Sequence, residues 1–245
     1  MIEKDTDNIS FFHTKCTEAL WKRYGEGIIP IIPDIKIKSP GEGELLKDRD
    51  PIQYAKALEK AGAPVISVVT ENEHYGGSLE ILHEIAQAVS VPVLRKDFIT
   101  QKWQLEESVR YGASSVLLIA SILEQEQLQR LVSEALELGL EPLVEIHNEA
   151  EQDTVKKLNL TFIGINNRNI LEWETDNGTV RTSERLAKLV NSKVFILSES
   201  SITSAEEVRR AVTSGCTGVL AGTAILKAND PVEMYRRLSI PRNIN

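Results

Sequence analysis

Short apolar runs rich in β-branched residues recur along the chain, and a longer amphipathic stretch follows each one. The runs are "IIPIIPDIK" (28–36), "PVISVVT" (64–70), "VPVLRK" (91–96), "SSVLLIA" (114–120), "EPLVEI" (141–146), "LTFIGIN" (160–166), "KVFILSE" (193–199) and "TGVLAG" (217–222). Runs that are apolar at nearly every position predict parallel strands covered on both faces. The stretches between them, such as "PIQYAKALEKAG" and "SAEEVRRAVTSG", read as helices. Several end in Gly, a C-cap signal, and "TSAEE" offers an N-cap with acids in the first turn. Eight strand–helix units in 245 residues predict a single-domain (β/α)8 TIM barrel over residues 1–245. An open doubly wound sheet is the alternative, but it usually has fewer strands and a Gly-rich first turn. Residues 1–27 read as a short N-terminal helical extension around "SFFHTKCTEALWKRYG", packed outside the barrel or across its bottom. The irregular pieces 37–50 and 167–181 follow the first and sixth strands, which in a barrel puts them on the catalytic face.

Composition narrows the partners. The chain is 42% hydrophobic and 26% charged, which suits a globular core, and 28 Lys and Arg against 36 Asp and Glu leave a net charge of −8. That balance argues against a general nucleic-acid binder and against a polybasic membrane contact. No run reaches membrane-spanning length and the N-terminus lacks a signal-peptide apolar region, so a cytoplasmic protein is expected. Cys16 and Cys216 show no metal-ligand spacing and read as reduced structural thiols. His74 and His147 read as surface residues without ligand spacing to any acid or Cys. No Rossmann or P-loop motif occurs, so no metal, nicotinamide or nucleotide cofactor is expected.

Chemistry collects at one end of the predicted strands. Their C-terminal ends carry Asp34 and Lys36, Thr70 and Glu71, Lys96 and Asp97, Glu145, Asn166 and Arg168, Glu199 and Ser200, and Gly222 and Thr223. The opposite ends read as mostly small or apolar. In a barrel the C-terminal ends share one rim, where ionisable groups perturb each other and can donate and accept protons near neutral pH. Each residue alone has a bland reading: a surface lysine, a structural ion pair, a turn. Two segments point to an anion. "SESSITSAEE" and "LAGTAIL" place hydroxyls and backbone N–H groups after the seventh and eighth strands, where barrels often hold phosphate. Ser39, Gly41 and Gly43 add donors after the first strand. Tyr75 and Phe98 are candidates to wall the mouth against a flat or apolar group.

The strings "DIKIKSPGEG", "ISVVTENEHYGGSLE", "VPVLRKDFI", "SSVLLIASIL", "PLVEIHNEAE", "FIGINNRNI", "LSESSI" and "GVLAGTAIL" resemble, in order and spacing, the indole-3-glycerol phosphate synthase family of tryptophan biosynthesis. The resemblance implies a cofactor-free lyase that closes the indole ring of 1-(o-carboxyphenylamino)-1-deoxyribulose 5-phosphate, releasing CO2 and water. It implies Lys96 as general acid, Lys36 as partner of the substrate carboxylate, and Glu145 as the acid that steadies the iminium charge and positions Lys96. Asn166 would hold substrate hydroxyls and a neighbouring acid. Arg168 would lie beside the carboxylate, and Tyr75, Phe98 and Leu117 would receive the anthranilate ring. Ser39, Ser200, Ser201, Gly222 and Thr223 fall in the phosphate and turn motifs, and Glu199 falls in the same "SES" motif. Asp34 stands where the family usually has Glu, Ile37 where it has a basic residue, and Ser201 where it has Gly. The segment before the first strand is expected to be shorter than the family's usual extension, and 171–181 a little longer. A diverged enzyme for a related amino-sugar phosphate, or a weakly active barrel acting as a pathway binding partner, is the alternative. The expected partner is a phosphorylated small molecule, and the expected state is a monomer or weak homodimer.

Overall fold

All eight runs form strands in the computed structural model, which describes residues 15–172, 178–191 and 193–242. The strands are β1 (Ile31–Ile35), β4 (Ile66–Val69), β5 (Val93–Lys96), β6 (Ser115–Ile119), β7 (Glu141–Ile146), β8 (Phe162–Asn166), β9 (Phe195–Glu199) and β10 (Gly218–Ala221). They pair in parallel and close in the order β1-β10-β9-β8-β7-β6-β5-β4, a (β/α)8 barrel. Pro30 and Pro92, which have no N–H to give, stand just before β1 and β5, and Pro64 stands two residues before β4. The helices between them are α2 (Pro51–Lys60), α3 (Leu79–Ala88), α4 (Lys102–Arg110), α5 (Gln125–Glu137), α6 (Glu149–Val155), α7 (Arg181–Leu186), α8 (Ala205–Thr213) and α10 (Pro231–Leu238). Ser204 caps α8 through a reciprocal pair with Glu207, as the "TSAEE" pattern predicts. A short helix, α9 (Thr223–Lys227), follows β10 directly and is not predicted from the pattern.

The side-chain period of two explains how one strand serves two cores. Ile31, Val93, Val116, Val144 and Val219 face the helices in the larger apolar cluster. Their neighbours Ile32, Leu94, Leu117, Leu143, Leu197 and Leu220 fill the barrel lumen in a second cluster. Two residues further along the same face come Asp34, Lys96, Glu145, Glu199 and Gly222. The lumen is therefore a leucine-rich plug with a charged layer above it.

The bottom of the barrel is closed by α1 (Cys16–Gly25), so of the two expected placements the helix takes the one across the floor. Cys16 and Leu20 join the lumen cluster, and the Trp21 ring meets Phe195 edge-on at 5.0 Å. The expected residues 10–14 of this helix lie outside the described ones. Contrary to the expectation of a small, apolar floor, Glu141 at the start of β7 is buried there. Its carboxylate accepts the Thr17 backbone N–H at 2.9 Å and the Thr17 hydroxyl, which gives the first turn of α1 the acceptor its free N–H groups need.

The piece 37–50, expected to be irregular, contains a small antiparallel ribbon of β2 (Lys38–Ser39) and β3 (Gly43–Glu44). Arg49 pins the end of this piece by donating to the carbonyls of Leu226 and Ala228. Among the described residues no helix is long and apolar enough to cross a membrane.

Candidate active site

Strand β5 ends in alternating cations. Arg95 points outward and is buried, bonded to Asp97 at 2.8 Å and to the Thr70 hydroxyl at 3.0 Å. Asp97 also accepts the Thr70 hydroxyl and the Phe98 N–H. This clamp fixes the strand end, and Lys96 between the two faces inward. Its ammonium donates to Glu199 Oε2 at 3.1 Å. Glu199 is fully buried, and a Cβ on Gly164 would stand 1.9 Å from its Oε1, so only glycine leaves room for this carboxylate. Burial pushes the Glu199 carboxyl up to about 7; the Lys96 charge works against that, and Glu145 and Asp34 add to it.

Asp34 is buried and its Oδ1 accepts the Ser67 hydroxyl at 2.6 Å. Gly222 lies so close that a Cβ there would be 2.9 Å from that of Asp34. Lys36, two residues on, is also buried. Asn166 is buried, with Oδ1 accepting the Arg168 N–H at 3.0 Å, and faces a separate hollow shared with His147 and Arg168.

Two cavities open at this rim. One, of about 430 Å³ including its open mouth, has Tyr75, Phe98, Leu117 and Ile170 as its apolar wall and Lys36, Lys96, Glu145 and Glu71 as its charged side. The other, of about 1160 Å³ including its open mouth, is lined by Ser200, Ser201, Gly222 and Thr223. Lys36, Lys96, Arg168 and Lys227 outnumber Asp34 and Glu42 on its wall, which favours an anion. Asp34, Lys36 and Lys96 line both. Arg168 belongs to the cationic cavity and not to the lining of the apolar one, and Ser39, in the ribbon, lines neither.

Sequence reasoning missed part of this wall. Lys227 bonds Glu42 at 2.7 Å and that bond draws the Glu42 pKa down, closing the ribbon onto α9. Its only signal was a lysine in "AILK". The turn after β9 holds two consecutive residues at positive φ, Ser200 (62°) and Ser201 (58°). The Asn167 amide braces it by donating to the carbonyls of Glu199 and Ser200.

The histidines are not as expected. His147 is not a surface residue: its side chain is 13% exposed. Its Nδ1 bonds Glu151 Oε2 at 3.2 Å and its Nε2 lies 3.4 Å from Glu145 Oε1. Burial works against the imidazolium, but the Glu151 hydrogen bond and the charges of Glu145, Glu151 and Glu199 outweigh it and raise the His147 pKa. His74 also has acid neighbours, with its ligand atom and those of Glu71 and Glu73 within 4.8 Å of one another. Glu71 spends its oxygens on the N–H groups of Glu73, His74 and Tyr75, which makes it the organiser of this loop.

A closed parallel barrel with a charged rim above an apolar lumen places the chain in the (β/α)8 class, and its rim carries groups able to give and take protons beside a cavity suited to an anion. Comparison with known proteins narrows the class to one family. Residues 3–238 match the family described as indole-3-glycerol phosphate synthase, and the chain belongs to that family. It is 43% identical over 208 residues to the indole-3-glycerol phosphate synthase of Pyrococcus furiosus, covering 85% of this chain and 90% of that one. The Thermococcus kodakarensis enzyme of the same name is 42% identical over 85% and 91% of the two chains. That of Halalkalibacterium halodurans is 39% identical over 85% and 80%.

Proposed function

We propose that the protein is an indole-3-glycerol phosphate synthase of tryptophan biosynthesis. It converts 1-(o-carboxyphenylamino)-1-deoxyribulose 5-phosphate into indole-3-glycerol phosphate, CO2 and water. The observation that carries this reading is that an apolar cavity and a cationic cavity share Asp34, Lys36 and Lys96. A substrate with a benzoate ring at one end and a phosphate at the other would lie with its reacting carbons at that junction.

In this reading Tyr75, Phe98 and Leu117 hold the ring. Ser200, Ser201, Gly222 and Thr223 hold the phosphate. Lys36 pairs with the substrate carboxylate. The Lys96 ammonium protonates the carbonyl oxygen as the ring carbon attacks it, and its bond to Glu199 keeps it aimed. Glu145 faces the iminium charge that ring closure leaves on nitrogen. Loss of CO2 takes up that charge, and loss of water, with Asp34 and Lys36 as the acid–base pair, completes the aromatic ring. Asn166, in the hollow that adjoins the cationic cavity at Arg168, is assigned to reach the sugar hydroxyls from there. Arg168 lines the cationic cavity, which supports assigning it to the phosphate side in place of the carboxylate side. Ser39, which lines neither cavity, is assigned to shaping the ribbon beside the phosphate end.

The free, buried Cys16 and Cys216 support a cytoplasmic protein, and the enzyme is proposed to act as a monomer or weak homodimer. The test uses substrate labelled with 13C in the carboxylate. One labelled CO2 is expected per indole formed, and near-complete loss of both in Lys96→Ala, by about 10²–10⁴-fold. Tight binding of the substrate with no CO2 release would direct attention to a related amino-sugar phosphate instead.

A further inference from the structure

We propose that His147 is a positioning residue for the ring-closing reaction: clasped between Glu151 and Glu145, it fixes the Glu145 carboxylate at the wall of the apolar cavity. The inference rests on the functional reading above, which puts Glu145 against the substrate.

The geometry is a carboxylate–imidazole–carboxylate chain. Glu145 stands in the charged layer at the end of β7, where it is 1% exposed. His147 follows two residues later, just beyond the strand, and turns its Nε2 back to 3.4 Å from Glu145 Oε1. That Nε2 is buried and makes no hydrogen bond among the described residues, so the Glu145 oxygen is the charge it faces. On the other side Glu151, from the first turn of α6, accepts from Nδ1 at 3.2 Å and from the His147 backbone N–H at 2.7 Å. Asn148 caps the same turn and donates its amide to Glu151 Oε1 at 2.6 Å. Glu151 is thus held by three donors, its pKa is lowered despite burial, and it is a fixed acceptor. A fixed acceptor sets the tautomer: Nδ1 carries a proton, and an imidazolium directs its second N–H toward Glu145.

The surroundings favour the imidazolium. Glu145 on its own strand and Glu151 on α6 face it with negative charge, and Glu199 on β9 adds to this where it is ionised. Among the described residues the cation lining the same hollow is Arg168, after β8. A cation set beside Glu145 holds its carboxylate by charge attraction at the wall of the apolar cavity.

The test is steady-state turnover by purified full-length protein and variants, with the imidazole titration followed by NMR. His147→Ala is expected to lower kcat by about 10–100-fold with little change in KM, because a displaced Glu145 acts on the transition state rather than on binding. His147→Gln, which keeps an N–H donor without charge, is expected to recover part of the loss. Glu151→Gln leaves both Glu145 and His147 in place. It is expected to lower the imidazole pKa, with a kcat deficit that grows as pH rises from about 6 to about 7.5, where a histidine near its ordinary pKa loses its proton. Wild-type kcat in His147→Ala, or a pH-independent ratio of Glu151→Gln to wild type, would overturn the inference while the functional reading stands. A wild-type protein that binds the substrate without turnover would overturn both.

Discussion

At the residue scale, Ser201 and Asp34, two positions where the sequence resemblance leads one to expect a departure from the family pattern, sit in particular settings. Ser201 occupies left-handed backbone at φ 58°, its hydroxyl buried without a hydrogen bond among the described residues. Ser201→Gly is expected to stabilise the protein by about 1 kcal/mol, a rise in Tm of roughly 2–4 °C for a chain of this size. Calorimetry would show it, and an unchanged Tm would mean that the Asn167 brace already absorbs the strain. Asp34 is short, and its Oδ1 is committed to Ser67. Asp34→Glu extends the carboxylate by one methylene into the shared junction. It is expected to raise kcat by about tenfold, measured under saturating substrate. A fall would show that the walls, with Gly222 packed against Asp34, have closed around the shorter acid. Both positions were marked by the sequence resemblance alone. His147 was not, because two residues in "EIH" give no sign that an imidazole turns back over a strand end toward its own Glu.

At the scale of elements, the strands were readable because an all-apolar run has few other uses, and their order in chain and space is the same. The charged rim was readable for the same reason: once the runs are strands, their last residues must meet. What local pattern could not supply were contacts made across more than a hundred residues. The Lys227–Glu42 closure of the ribbon is one, and the seat of α1 on Glu141 is another. Glu141→Ala is expected to leave kcat unchanged, since it lies at the far end of the barrel. It should lower stability by roughly 1–3 kcal/mol, because the Thr17 N–H and hydroxyl lose a buried acceptor. The urea midpoint measures this, and a wild-type midpoint would mean that α1 is held by Leu20 and Trp21 packing alone.

At the scale of the whole molecule, the site holds buried charges beneath an open rim, and this has a cost that depends on pH. Glu199 is pushed up to about 7 by burial, above its value in the unfolded chain. Between the ordinary carboxylate range and about 7 the folded protein keeps a proton that the unfolded chain has released, so this group subtracts stability as pH rises through that window. Glu199→Gln removes that dependence. The stability of Glu199→Gln relative to wild type is expected to become more favourable as pH rises through the window, and denaturant unfolding on either side of it checks the sign. The relation between the two cavities is also a property of the whole fold: loops after β1, β4, β5, β8, β9 and β10 contribute to them, and the closed barrel makes Asp34, Lys36 and Lys96 common to both. The most direct test of the ring-closing assignment is the indole fluorescence that appears when the purified protein meets 1-(o-carboxyphenylamino)-1-deoxyribulose 5-phosphate. A rise with wild type that is absent with Lys96→Ala is the expected result. A flat trace from wild-type protein that binds the substrate would contradict it.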